Sequence, residues 1–331
     1  MQLTTAVNIE SKGIEITHRS RILLIGSCFA VNIGKRLQER AFDIEANPFG
    51  VLYNPLSIAT AMNRIADGTP FTGASPEIFS HNGLWHSILH HGDFSHTCKE
   101  EALEHMNCML EKAHAKAGKY DIVFITLGTA HAYIRKSDMC VAGNCHKLPG
   151  NLFERRLLGI DEIADELGRA LENFIALNPD TMFIFTVSPI RHLRDGAHDN
   201  QKSKATLLLA VDRLMEMYPG NTSYFPAYEI VLDELRDYRF YADDMTHPST
   251  VAIEYIWEKF SECYFGKETA CINGRIEEIA RGLGHRPFDT ESEGYRQFIL
   301  NLLHKIEKIK EEYPYLNLEN ETTRCNTLLN R

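Results

Sequence analysis

Two side chains that can act as nucleophiles follow directly on a glycine near the start of the chain. The stretch RILLIGSCFA, residues 21–30, runs from four apolar residues into Gly26, Ser27 and Cys28, and an amphipathic pattern follows. This pattern predicts a buried strand that ends at the glycine and a helix that begins just after it. The unpaired N–H groups at the start of a helix stabilise an oxyanion or a thiolate. A hydroxyl or thiol at this corner is therefore placed to attack a carbonyl carbon.

The same corner also has a purely structural interpretation. Ser27 is of a residue type that caps helices, and Cys28 is small enough to be one more buried side chain. The local sequence leaves both interpretations open.

A general base is available far along the chain. The stretch ADDMTHPS contains Asp244 and His247, and a spacing of three residues lets both side chains face the same way in a tight turn. The carboxylate then fixes one imidazole tautomer and leaves the other ring nitrogen free to accept a proton. Asp243 is an alternative orienting residue, but the D-x-x-H spacing gives the better reach.

Strands and helices that position these residues alternate along the chain. Continuous apolar segments predict buried strands at 21–27, 120–128 and 181–189, with a weaker one at 223–231. The alternation predicts a parallel sheet with helices on both faces. Helical patterns lie at 30–40, 55–68, 99–118, 159–179 and 200–218.

Unusual residues follow each predicted strand, at 26–28, 128–133, 188–192 and 243–248. Ligands bind outside the carboxyl ends of the strands in sheets of this kind. We therefore expect these four segments to meet at one site.

The C-terminal part of the sequence has a different pattern. From about residue 267 it is mostly helical, which predicts an antiparallel helical pair whose final residues, from about Leu318, are polar and frayed. We therefore divide the chain into an α/β domain at 1–265 and a helical extension at 266–331.

Composition excludes several classes of function. A net charge of -10 over 331 residues argues against a nucleic-acid surface, which needs clustered Lys and Arg. The sequence shows no secretory signal and no apolar run of ~18 residues, so we expect no membrane partner. Eight scattered cysteines without a CxxC pair are typical of reduced thiols. We expect a cytoplasmic protein.

A histidine-rich stretch at 81–96 raises a metal hypothesis. His86 and His90 are four apart and would share one helical face, with Asp93 as a further ligand of a metal-dependent hydrolase. The stretch lacks a recognised ligand spacing, and its apolar residues favour a packed flap or substrate-lining loop, so we expect no metal site. The charged loop at 191–204 is long enough to be a lid or to bind an acceptor.

Several motifs make the chain resemble the GSCFA family, over most of residues 20–250. The family is similar to the SGNH/GDSL hydrolases, whose flavodoxin-like domain uses a nucleophile after the first strand and a late DxxH. The resemblance implies an SGNH-hydrolase-like α/β domain followed by a C-terminal helical extension. The motifs are GSCFA (26–30), NPFGVLYNP (47–55), LWHSILHHGDFS (84–95), TLGTAHAY (126–133), NCHKLP (144–149), TVSPIRHLRDG (186–196) and YADDMTHPS (241–249).

The resemblance also implies roles for individual residues. Alignment with the superfamily's Gly-Asp-Ser corner puts Cys28 at the nucleophile, and a shift of one residue would put Ser27 there instead. A thiol needs less help from a base than a hydroxyl does, which favours Cys28. Gly50 matches the glycine of the superfamily's oxyanion hole.

The third motif block departs from the superfamily. In GTAHAY, Gly128 is kept as a substrate-binding candidate, but Ala130 stands where the superfamily has an Asn. His146 and Lys147 are further candidates for substrate contact. The oxyanion hole would then use the backbone N–H groups of Cys28 and Gly50, with the side chain of Asn144 or Asn47.

These residues together predict acyl transfer. We expect an esterase or O-acyltransferase acting on a small-molecule or carbohydrate ester, such as an acetyl group on a sugar. It needs no cofactor beyond an acyl-CoA donor if it is a transferase. The missing Asn keeps a non-catalytic ligand-binding module as the alternative. The oligomeric state is not indicated.

Overall fold

The computed structural model describes residues 5–330, and a five-stranded parallel sheet lies at its centre. The spatial order is β2-β1-β5-β9-β10, and every neighbouring pair is parallel. Counted along the chain this is the 2-1-3-4-5 order of flavodoxin-like sheets, so the predicted fold class is confirmed. The strands are β1 (Arg21–Gly26), β2 (Asp43–Ala46), β3 (Ile78–His81), β4 (Leu84–Ser87), β5 (Ile122–Leu127), β6 (His131–Arg135), β7 (Val141–Ala142), β8 (Phe153–Leu157), β9 (Met182–Val187) and β10 (Thr222–Tyr224).

Helices cover both faces of this sheet. Leu23 and Ile25 of β1 belong to one apolar core together with α2, α4 and α5. Ile22 and Leu24 belong to a second core, together with α1 and α7. Side chains alternate between the two faces of a strand, so a strand buried on both faces is apolar throughout. The helices are α1 (Cys28–Gln38), α2 (Pro55–Asp67), α3 (Lys99–His114), α4 (Ile160–Leu177), α5 (Gly196–Met217), α6 (Ala227–Glu229), α7 (Thr250–Tyr264), α8 (Lys267–Leu283), α9 (Glu293–Glu312) and α10 (Glu319–Leu329).

Two small antiparallel sheets, which the sequence analysis missed, flank the carboxyl ends of the main strands. One is the β3–β4 hairpin, whose turn residues Asn82 and Gly83 both have positive φ, as a type I′ turn requires. The other pairs β6 with β7 and β8. The predicted helical face shared by His86 and His90 is therefore wrong, because His86 lies in β4 and His90 follows it.

Several element boundaries also differ from the prediction. The edge strand β2 was missed because its side chains are largely exposed. The fourth predicted strand is only Thr222–Tyr224, since Pro226 follows and cannot donate to a strand partner. Helix α5 begins at Gly196 rather than 200, so most of the charged segment at 191–204 is helical and only residues 191–195 precede α5.

The C-terminal extension is helical, as predicted, but it contains three helices rather than two. Residues from α8, α9 and α10 form an apolar cluster of their own. The predicted frayed end is wrong, because Cys325 of α10 is completely buried in that cluster. Arg40 after α1 binds Glu277 of α8 at 2.5 Å. Within residues 5–330, no helix combines the length and apolar character needed to cross a bilayer.

Candidate active site

The turn between β1 and α1 has a backbone that only glycine fits. Gly26 has φ +130°, and a Cβ there would lie 2.1 Å from the Thr126 carbonyl oxygen. Its N–H donates to Asn47 Oδ1 at 2.8 Å. This clamp ends β1 and fixes where Ser27 and Cys28 emerge.

Ser27 and Cys28 have different environments at this turn. Ser27 is 1% exposed, and its Oγ accepts from the Phe29 N–H and lies 3.0 Å from Thr126 Oγ1. Cys28 is the first residue of α1, partly exposed, and within the described residues its backbone N–H has no acceptor. The geometry therefore favours the thiol as the reactive group and the hydroxyl as the helix cap.

A cavity of about 910 Å³ lies at the carboxyl ends of β1, β5 and β9. All four segments that the sequence analysis brought together contribute to its lining. The first segment contributes Ser27 and Cys28, and the second contributes Thr129, His131 and Tyr133. The third segment and its continuation contribute Ser188 and residues 190–195. The fourth contributes Asp244, Thr246 and His247.

Asp244 and His247 pair in the way that their spacing predicted. His247 Nδ1 lies 2.5 Å from Asp244 Oδ2. The pKa of Asp244 is held well below its usual range, first by the backbone N–H of His247, then by that of Thr246 and then by the imidazole. The carboxylate thus accepts the Nδ1 proton, and Nε2 has no hydrogen-bond partner in residues 5–330.

Cys28 and His247 border the same cavity, but no hydrogen bond joins them. The Cys28 Sγ lies 3.5 Å from the hydroxyl of Tyr53 instead. Burial, and then the contact with Cys28, raises the pKa of Tyr53, so its hydroxyl stays protonated and can donate to the sulfur. The Tyr53 ring meets His192 edge-on at 5.9 Å. Catalytic hydrogen bonds are often long or absent before substrate binds.

Neither Gly50, predicted for the oxyanion hole, nor Gly128, predicted to bind substrate, can donate its N–H to a substrate. The Gly50 N–H donates to the Asn47 carbonyl at 2.7 Å, and the Gly128 N–H donates to the Tyr53 carbonyl at 2.8 Å. Neither residue lines the cavity. Both predictions are corrected, because a donor already paired within the backbone has no bond left for an oxyanion.

Some of the other polar candidates have a structural role, and others line the cavity. Asn47 is buried and clamps Gly26, and His146 is buried with Nε2 2.8 Å from the Ser87 carbonyl, so neither contacts a substrate in the cavity. Asn144 does line the cavity, with its Oδ1 bound to the His146 N–H. The available donors are therefore the Cys28 N–H and the Asn144 amide. Lys147 lines the cavity too.

The histidine-rich stretch does not converge on a metal site. His86 Nδ1 lies 2.7 Å from Ser95 Oγ, and the His90 ring is buried and stacks on Phe49 at 4.4 Å. Within residues 5–330 no three His, Cys, Asp or Glu side chains are grouped to hold a metal ion. His91 is the member of this stretch that lines the cavity.

The family assignment follows from a comparison of the sequence with known families. The model of the GSCFA family matches residues 21–260, more than half of the chain. The chain belongs to the GSCFA family. A second match, to the GSCFA domain protein, C-terminal domain, covers residues 276–331. No curated protein matches this GSCFA chain.

The sequence analysis missed a buried lysine that supports the cavity of this GSCFA protein. Lys204 of α5 is 1% exposed, and its Nζ donates to the carbonyls of Gly128 at 2.5 Å and Ser188 at 2.7 Å. It thus joins the segments that follow β5 and β9. Burial, and then the charge of Arg191, lowers the pKa of Lys204 to about 7. A lysine on the apolar face of a predicted helix was the signal available in the sequence.

A partly buried ion pair was missed as well. Arg155 of β8 binds Asp195, whose side chain is 5% exposed, and His131 Nδ1 lies 3.4 Å from the same carboxylate. Burial, and then the charge of Arg155, lowers the pKa of His131, so the ring is neutral near pH 7. This pair fixes the end of the loop that follows β9.

Proposed function

We propose that this GSCFA protein transfers acyl groups from esters, with Cys28 as nucleophile, His247 as general base and Asp244 as the residue that orients it. One observation carries the proposal: a thiol at a helix N-terminus and an imidazole paired with a carboxylate border the same cavity. The resemblance to the SGNH/GDSL hydrolases supports it, since a nucleophile after the first strand and a late DxxH occur there in the same chain order.

The first half of the reaction forms a thioester. His247 Nε2 takes the proton of the Cys28 thiol, and the sulfur attacks the ester carbonyl carbon. The resulting oxyanion is stabilised by the Cys28 N–H, where the dipole of α1 adds to the hydrogen bond. The C–O bond then breaks, and the alcohol leaves with the proton from Nε2.

The second half releases the acyl group. His247 Nε2 takes a proton from water or from an acceptor hydroxyl, which attacks the thioester carbonyl. The sulfur leaves and regains its proton from Nε2. Water gives a hydrolase, and a hydroxyl gives an O-acyltransferase, with an O-acetylated carbohydrate as one substrate or product. With acyl-CoA as the donor, the C–S bond of its thioester breaks in the first half, and coenzyme A leaves as a thiol with the proton from Nε2. Asp244 stays ionised throughout, since its two backbone donors stabilise the carboxylate.

The free thiols agree with a reducing compartment. All eight cysteines, which lie between residues 28 and 325, are unpaired, and a nucleophilic thiol has to remain reduced to act. A cytoplasmic location is part of this proposal.

The test compares Cys28→Ala, His247→Ala and Ser27→Ala with the unaltered protein on p-nitrophenyl acetate and acetyl-CoA. We expect the first two to abolish turnover and mass spectrometry to find an acetyl group on Cys28 of the unaltered protein. Ser27→Ala is the matched control, which loses about 1 kcal/mol of capping stability but keeps the acetylated Cys28. Full turnover in both Cys28→Ala and His247→Ala would refute the mechanism. No turnover and no acetylated Cys28 in the unaltered protein would instead favour a binding module.

A further inference from the structure

The candidate cavity has more positive than negative side chains, although the chain as a whole has a net charge of -10. Four cationic side chains and two carboxylates contribute to its lining, with the histidines counted as neutral. The cations are Lys147, Arg155, Arg191 and Arg194, and the carboxylates are Asp195 and Asp244.

Both carboxylates are already paired. Asp195 binds Arg155 and lies 3.4 Å from His131. Asp244 binds His247. No acidic side chain of the cavity lining is therefore left to neutralise the remaining cations.

Arg191 and Arg194 are two of those remaining cations, and within residues 5–330 neither forms an ion pair or a side-chain hydrogen bond. They lie on a loop in which the residue after each of them is held in place. The His192 N–H donates to Asn200 Oδ1 at 3.0 Å, and Asp195 is held by its ion pair. Arg191 directly precedes His192, Arg194 directly precedes Asp195, and both arginines line the cavity.

Arg191 also has an unfavourable neighbour. Its charge contributes to lowering the pKa of the buried Lys204, which means that the two cations repel each other. An anion beside Arg191 would offset this repulsion, and guanidinium groups match the geometry of phosphate and carboxylate with paired hydrogen bonds.

We propose that the substrate carries a phosphate or carboxylate group that binds Arg191 and Arg194 while its ester carbonyl lies at Cys28. This specifies the substrate class of the acyl transfer proposed above and, for its catalytic part, rests on that proposal. Anion binding itself requires no chemistry at Cys28, so the two ideas can be tested apart.

The first experiment measures binding by calorimetry at low and high salt. The probes are inorganic phosphate, glutarate and coenzyme A, which separate a simple anion, a carboxylate and a phosphorylated leaving group. We expect at least one to bind, Cys28→Ala to bind it equally well, and the double variant Arg191→Gln/Arg194→Gln to bind it at least tenfold more weakly. The control is Lys202→Gln/Arg213→Gln, which removes two positive charges from the exposed surface of α5. Binding of none of the probes, or equal loss in the control, would overturn the proposal.

The second experiment measures the preference for charged esters. The charged substrates are the mono-p-nitrophenyl ester of glutarate and acetyl-CoA, and the kcat/KM of each is divided by the kcat/KM of p-nitrophenyl acetate. This ratio should fall at least tenfold in Arg191→Gln/Arg194→Gln for one of the two charged substrates. A fall for the glutarate ester places the anion on the acyl part, and a fall for acetyl-CoA places it on the leaving group. An unchanged ratio for both overturns this inference and leaves acyl transfer intact. If Cys28→Ala turned over these substrates as fast as the unaltered protein and anion binding were retained, the Cys28 mechanism would be refuted and the anion site would stand.

Discussion

The thiol of Cys28 and the hydroxyl of Tyr53 lie 3.5 Å apart, Sγ to Oη, on the wall of a cavity that His247 also borders. The phenol, rather than the imidazole, is the hydrogen-bond partner of the sulfur. Acyl transfer therefore requires the thiol proton to reach His247 Nε2 through a bound water or after a side-chain rotation. Tyr53 then remains as a donor that stabilises the thiolate.

Tyr53→Phe should slow the alkylation of Cys28 by iodoacetamide several-fold at pH 7. The variant removes one charge-assisted hydrogen bond to the thiolate and keeps the aromatic ring. The rate is followed on the peptide that contains Cys28, because the chain has other free cysteines. The control is Tyr238→Phe, at a ring that is 79% exposed. An equal or faster rate in Tyr53→Phe would show that the phenol does not assist the sulfur.

Asp244→Asn should lower kcat on p-nitrophenyl acetate by about 10²- to 10⁴-fold. The Asn oxygen can still accept from the Thr246 and His247 N–H groups, but its NH₂ group faces Nδ1 as a donor. The imidazole then carries its proton on Nε2 and cannot accept one from the thiol.

The control for Asp244 is the adjacent Asp243→Asn. Asp243 is exposed and does not line the cavity, so the rate of this variant should match that of the unaltered protein. If Asp243→Asn lost the activity and Asp244→Asn kept it, the orienting residue would have been assigned wrongly.

Gly26→Ala should destabilise the fold by about 3 kcal/mol or more, since both the positive φ and the contact with the Thr126 carbonyl oppose a Cβ. The matched control is Gly274→Ala in α8, where a Cβ meets nothing within 4 Å. This control should gain about 0.5–1 kcal/mol, because alanine favours the helix. Urea unfolding measures both free energies, and equal stability of the two variants would contradict the geometry of the corner.

His90 should make the protein sensitive to acid. Its ring is fully buried, and burial, followed by the charge of His146, lowers its pKa from 6.5 to about 3. Between these two values the unfolded chain binds a proton that the native ring does not, so the free energy of unfolding falls as the pH falls. The contribution of the neutral His90 ring to the free energy of unfolding is fully present above pH 6.5.

The variant that tests this effect is His90→Phe, which keeps an aromatic ring against Phe49 and cannot titrate. The stability of the unaltered protein relative to this variant should decrease between pH 6.5 and 4, at up to about 1.4 kcal/mol per pH unit. The exposed His198→Gln is the control and should follow the unaltered protein. Parallel curves for all three proteins would show that folding does not lower the pKa of His90.

The main strands and the catalytic candidates could be predicted from local sequence. Strands β1, β5 and β9 are buried on both faces, and such strands are apolar along their whole length. The Gly26 corner follows from a strand that turns directly into a helix. The contact of Asp244 with His247 spans three residues, so the two side chains meet within a single turn. The short strands β2, β3 and β4 have no comparable pattern and were missed.

The tertiary structure decided which of the remaining polar groups are available. The N–H groups of Gly50 and Gly128 are taken by backbone carbonyls, and His146 is occupied by the Ser87 carbonyl at the end of β4. The contacts of Cys28 with Tyr53 and of Arg155 with Asp195 join segments that are separate in sequence. The sequence by itself determined the sheet, the thiol and the imidazole pair, since these depend on periodicity and short spacing. The oxyanion donors, the phenol beside the sulfur and the two unpaired arginines were decided by the packing of distant segments, because a hydrogen bond depends on which partner lies within reach.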